Sequence, residues 1–172
     1  MIIDIVVRPS TPRDDALTEQ IERAADALLI DLFGAVTWPP PTPPQDRTES
    51  PGFVLVAELT DEVAAPIVVG FVHVLEIDGH AHLEQLSVLP SFGRRGIGRQ
   101  LVTAALAEAR RRGHTDVTLR TYTDVPWNAP FYASCGFVES EPDTALLREL
   151  VAIEESLGLF EHGPRVQMTA TL

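Results

Sequence analysis

The sequence predicts a mixed α/β fold: one central, mostly antiparallel sheet of about seven strands flanked by helices. Three observations carry this. Segments of β-branched or alternating residues interleave with segments of helical periodicity along the whole chain. The early strands, Phe53 to Leu59, Ile67 to Ile77 and Ala81 to Leu89, follow one another through short polar connections, so they pair as hairpins. The strand at 81–89 reaches the strand at 115–122 only through a helix, which makes that pair parallel, with a right-handed crossover. No repeat or composition break suggests a second domain, so residues 1–172 read as one.

The elements follow in order. Ile2 to Val7 are β-branched and apolar, a first strand. Arg13 to Leu32 sets Leu17, Ile21, Ala24, Ala25, Leu28 and Leu29 at helical spacing. From Gly34 to Gly52 the pattern collapses into WPPPTPPQDRTESPG. Its prolines predict an irregular loop of polyproline character, either a variable surface loop or a lid over substrate. The Asp78-Gly79 turn separates the next two strands. Ile97 to Arg112 is the clearest helix, with Ile97, Leu101, Val102, Ala105, Leu106 and Ala109 along one side. Arg110, Arg111 and Arg112 complement its C-terminal dipole and Gly113 closes it. After the strand at Thr115 to Tyr122, a short helix begins at Asn128 as cap, carries Pro130 in its first turn and ends at Gly136. Phe137 and Val138 start another strand. Thr144 to Leu157 is a helix, and Arg165 to Leu172 alternates as the last strand.

The chain has 172 residues and a formal charge of −12, and all 13 basic residues are arginine. A negative field repels nucleic acid and favours encounter with a cationic small molecule such as an amine. No apolar run is long enough to cross a bilayer, which argues against a membrane partner. MIIDIVVRP lacks the basic region of a secretion signal, and Cys135 alone cannot form an intrachain disulfide. A reducing cytoplasm is the expected location.

The segment HLEQLSVLPSFGRRGIG, from His82 to Gly98, carries the most chemistry. It reads as a strand entering a glycine-rich turn that opens into a helix, whose unpartnered N–H groups and dipole attract anions. Gly93, Gly96 and Gly98 admit close backbone approach, and Arg94, Arg95 and Arg99 add donors suited to phosphate. A phosphate-bearing cofactor follows. The spacing is G-x-x-G-x-G rather than the dinucleotide G-x-G-x-x-G, and Asp116 sits at the start of the following strand rather than its end. A P-loop requires a lysine that the chain lacks.

LSVLPSFGRRGIGRQLV resembles the acetyl-CoA-binding motif of the GNAT superfamily, the Gcn5-related N-acetyltransferases, whose pattern is Q/R-x-x-G-x-G/A. WNAPFYASCGF resembles the tyrosine-bearing segment that follows it in the same family. The resemblance implies a sheet with a splayed central strand pair and acetyl-CoA as co-substrate, with no metal. It places the pyrophosphate on backbone N–H groups from Arg94 through Gly96, Ile97 and Gly98 to Arg99. It places the pantetheine arm along Leu86, Ser87 and Val88, with Phe131 also at the cofactor. The motif's first position falls on Gly93, a departure that removes one side-chain contact, for which Arg94, Arg95 or Arg99 can compensate.

By the same resemblance Tyr132 is the general acid that protonates the leaving thiolate, and the Val88 N–H, at a bulge, holds the oxyanion. Asn128 is either a pantetheine contact or only a helix cap. Glu84 is the candidate base, on a strand face shared with Leu86 and Val88, or else a solvated surface residue. His82 and His80 are its alternates. His73 reads as a satisfied core residue and Cys135 as a small buried hydrophobe. The expected activity is direct transfer of acetyl from acetyl-CoA to a primary amine, of a small cationic molecule or a peptide. The alternative is a non-catalytic acyl-CoA-binding regulatory module. The acceptor should meet the first helix, the proline-rich loop and the segment Glu154 to His162, with Glu154 and Glu155 as candidate negative groups. Family members often dimerise, so a homodimer is a candidate assembly, with the last strand as one element that could mediate it.

Overall fold

Asp78 and Gly79 both take positive φ, 51° and 78°, the backbone of a tight hairpin turn. They return strand β3 (Ile67–Ile77) directly into β4 (His80–Val88) in the computed structural model, which describes residues 3–172. Ile2, expected at the head of the first strand, lies outside the described residues. Before this hairpin come β1 (Asp4–Pro9), α1 (Asp15–Phe33), α2 (Pro44–Glu49) and β2 (Gly52–Thr60). After it come α3 (Ile97–Arg111), β5 (Asp116–Tyr122), α4 (Ala129–Ser134), β6 (Val138–Ser140), α5 (Ala145–Ser156) and β7 (Arg165–Thr171). The strands form one seven-stranded sheet in the order β1-β2-β3-β4-β5-β7-β6. Only β4 and β5 run parallel; every other pair is antiparallel. The expected fold class holds.

The sheet buries both faces. On one, Val69, Val72, Val74, Leu83, Val117 and Leu119 pack with Leu101, Val102, Ala105 and Ala109 of α3. On the other, Val54, Val56, Val68 and Phe71 pack with Ile21 of α1. The split follows from strand geometry, since successive side chains point to opposite faces.

One expectation needs correction. The proline-rich segment is not wholly irregular: α2 forms inside it, started by Pro44, whose missing N–H costs nothing in a first helical turn. Arg47 on α2 is buried, donates to Thr18 Oγ1 at 2.9 Å and to Glu22, and lies 4.4 Å over the Phe71 ring. This pairing ties the segment to α1 and β3. The last strand, β7, lies inside the sheet between β5 and β6.

Candidate active site

β4 and β5 pair only from Ala81 to Leu83 against Val117 to Leu119, and beyond that point they splay. The Leu89 N–H donates to Val69 O at 2.8 Å, so Val88 and Gly70 form a non-hydrogen-bonded pair. The N–H groups of Val88 and Leu86 therefore turn away from β3 and into the gap. At the end of the gap the chain makes a tight turn, with Arg94 at φ 61° and Gly96 at φ 78°, and enters α3. No side chain caps the first N–H groups of α3 among the described residues. The site thus offers an unpaired strand edge leading to an open helix N-terminus, a surface for an extended arm ending in an anion.

Helix α4 closes one side. Phe131 of α4 packs against the first turn of α3, its Cζ 3.4 Å from where a Cβ at Gly98 would stand. Arg99 donates to the Ser134 carbonyl at 2.9 Å and its Oγ at 2.8 Å. Arg99 is thus a strut between the two helices. Arg95 lies over Phe92 at 5.3 Å and is not on the cavity wall, while Arg94 is. Asn128 occupies the cap position of α4, yet its side chain does not cap it. Its Oδ1 instead accepts from Thr121 Oγ1 at 2.7 Å, which fixes the start of α4 to β5. Tyr132 packs edge-on between Phe131 and Phe137, at 5.2 and 5.7 Å. Its hydroxyl has no hydrogen-bond partner among the described residues, and its ring lines the cavity. Burial, and secondarily the nearby Cys135, push the phenol well above its ordinary range, so it stays protonated at neutral pH.

The strand register shifts between His73 and Val74, where Glu84 is the extra residue on β4. The bulge is therefore at Glu84 rather than at Val88. It also breaks the alternation that would have put Glu84 beside Leu86 and Val88, which pack toward α3. Glu84 lies instead on the opposite face with His82, whose Nε2 is 3.8 Å from its Oε2. Its side chain lines the cavity and keeps 44 % exposure. The enclosing protein nonetheless raises its pKa, with Glu154 and Glu22 adding and Arg165 and Arg47 opposing. His82 is buried against Thr118 Oγ1 at 2.7 Å and burial lowers it to about 4, so it is neutral. His80 stands at the hairpin end of β4 and does not line the cavity. His73 is buried as expected, but its Nε2 finds no partner, and burial lowers it to about 4.

One cavity of about 1140 Å³ joins these parts. Leu86, Ser87, Val88, Gly93, Arg94, Gly96, Ile97, Gly98, Arg99, Asn128, Phe131 and Tyr132 line it, together with Glu84. Glu22 and Asp26 of α1, the stretch from Trp38 to Pro43, and Leu157 and Leu159 wall the other side. The model of the acetyltransferase (GNAT) family matches residues 20–137, more than half of the chain. The chain belongs to that family. Solved structures agree in fold. Rv2747 from Mycobacterium tuberculosis, crystallised with CoA, aligns over 97 % of this chain and 99 % of its own, at 20 % identity and a TM-score of 0.67. The ribosomal-protein-S18-alanine N-acetyltransferase of Escherichia coli aligns over 98 % and 94 %, at 18 % identity and 0.65. PaiA N-acetyltransferase from Thermoplasma acidophilum, solved with coenzyme A, aligns over 98 % and 99 %, at 14 % identity and 0.64.

Within this GNAT frame, several cavity groups escaped the sequence reading. Burial and Glu22 push Asp26 up to about 6, partly offset by a hydrogen bond from Trp38. Burial likewise raises Glu22, against the pull of Arg47. Glu154, expected as a free negative group, is buried and accepts from Arg120 and Arg165, each at 2.9 Å, while Glu155 is exposed. Among the described residues, no helix is long and apolar enough to cross a membrane.

Proposed function

We propose that this GNAT acyltransferase moves an acetyl group from acetyl-CoA to a primary amine by direct attack within a ternary complex. One observation carries the reading. The open N-terminus of α3, the unpaired edge of β4 and Tyr132 all line one cavity. CoA-bound neighbours of the same fold support the choice of co-substrate.

The residues divide the work as follows. The amides from Arg94 to Arg99 receive the diphosphate, and the edge from Leu86 to Val88 pairs with the pantetheine arm. Glu84, ionised, takes a proton from the incoming ammonium, directly or through cavity water, and frees the lone pair that attacks the thioester carbonyl. The Val88 N–H holds the oxygen that becomes negative. As the C–S bond breaks, Tyr132 gives its proton to the departing thiolate. A raised base and a protonated phenol suit these opposite tasks.

The acceptor enters from the α1 side, past Glu22, Asp26 and the proline-rich wall. One relative is named for acetylating the alanine of a ribosomal protein, which fits an amine as acceptor. The test is thiol release from acetyl-CoA across a panel of small amines, amino acids and peptides. Acceptor-dependent release supports the reading; CoA binding without release from any of them opposes it.

A further inference from the structure

Two arginines and one carboxylate are buried together behind Glu84. Arg120 Nε donates to Glu154 Oε2 and Arg165 Nη2 to Glu154 Oε1, each at 2.9 Å. The three side chains are 6 %, 10 % and 11 % exposed for Arg120, Arg165 and Glu154. Glu154 thus accepts from both guanidinium groups, and Glu84 is the further carboxylate whose field reaches Arg165. Guanidinium N–H groups held away from water without acceptors are costly, and a ligand carboxylate can supply those acceptors.

The hydrogen bonds tell the same story. Arg120 lines the cavity, yet neither of its Nη atoms donates to any described acceptor. Arg165 also lines the cavity, its Nε is buried without a partner, and its guanidinium stacks on Tyr122 at 4.4 Å. The contrast with Arg47 is instructive, because there one arginine meets one glutamate behind α1. Alternation along β5 puts Arg120 on the face of Thr118, which holds His82, the neighbour of Glu84. Base and guanidinium groups thus border the same side of the cavity.

We propose that Arg120 and Arg165 form a carboxylate-binding subsite, so that the acceptor is an amine that also carries a carboxylate: a free amino acid. The proposal rests on the acetyl-transfer reading and narrows it. The planar fork of Arg120 binds a carboxylate through paired N–H donors, while the amino end of the same molecule lies toward Glu84.

The experiment compares free amino acids with their carboxamides and their decarboxylated amines, using the full chain, acetyl-CoA and thiol release. The free acid should exceed its carboxamide by about ten- to a hundredfold in kcat/KM, the worth of one charge-assisted pairing. Arg120→Gln should raise KM for the free acid by a comparable factor and affect kcat far less. A group that only braced β5 against α5 would lower the melting temperature without erasing the preference for the free acid. Amides or simple amines that match or surpass the free acids overturn the proposal, and this comparison needs no variant. Should no acceptor turn over, melting shifts decide. If acetyl-CoA stabilises the chain but no amino acid adds to the shift, the subsite is refuted. If acetyl-CoA itself produces no shift, the acetyl-transfer reading fails instead.

Discussion

Tyr132→Phe removes a single oxygen, and the structure sets what that oxygen is worth to the fold and to the reaction. The ring keeps its edge contacts with Phe131 at 5.2 Å and Phe137 at 5.7 Å, so packing is preserved. The hydroxyl makes no hydrogen bond among the described residues, so its loss should change folding stability by less than about 0.5 kcal/mol, or raise it slightly. The reaction should respond very differently. Burial keeps the phenol protonated, ready to donate to a thiolate. Losing a positioned general acid lowers turnover by about 10²- to 10⁴-fold, or about 3–5 kcal/mol of barrier. Three measurements separate the effects: kcat by thiol release, CoA affinity by calorimetry, and the melting temperature. The expected result is a large fall in kcat with the other two nearly unchanged. A variant with undiminished kcat would refute the acid assignment, and a fall in kcat matched by lost CoA affinity would recast Tyr132 as a binding residue.

Three further outcomes follow from the same geometry. Glu84→Gln should abolish the rise of activity with pH that follows Glu84 ionisation, a rise centred above the ordinary carboxylate range because the residue is enclosed and faces Glu154 and Glu22; an unchanged pH profile contradicts the base. Asp26 is raised to about 6 in the folded chain, so stability held by its neutral form is lost as pH climbs through that value. Asp26→Asn should therefore stabilise the chain by about 1–2 kcal/mol above about pH 7, and not below about pH 4, in urea titrations at the two pH values; equal effects at both would refute the shift. Arg47→Met strands the buried Glu22 and should cost about 3–5 kcal/mol by urea unfolding, whereas a loss below about 1 kcal/mol would show that the pair does not anchor the proline-rich segment.

The sequence was most legible where periodicity runs long. β3 matches its expected limits at Ile67 and Ile77, and α3 begins at the expected Ile97, because alternation and helical spacing there agree with the turns that bound them. What escaped depends on partners rather than on local pattern. The bulge at Glu84 is a property of how β4 pairs with β3, and nothing in β4 alone shows which residue is extra. Helix α2 hides among prolines, and the contacts that fix it come from Thr18, Glu22 and Phe71. The Arg120–Glu154–Arg165 cluster joins residues 34 and 11 positions apart, so the sharing of one carboxylate by two arginines is visible only once α5 and β7 are placed. Likewise, Asn128 stands at a cap position but bonds to Thr121, a choice made by the packing of α4 on β5.

The central claim is that backbone amides at the start of α3 and along β4 hold coenzyme A. Titrating acetyl-CoA into isotopically labelled protein, with amide resonances followed residue by residue, tests it most directly. The largest shifts should fall on Arg94 to Arg99 and on Leu86 to Val88. Saturable binding that leaves those amides unmoved, or no binding at millimolar acetyl-CoA, would contradict the account.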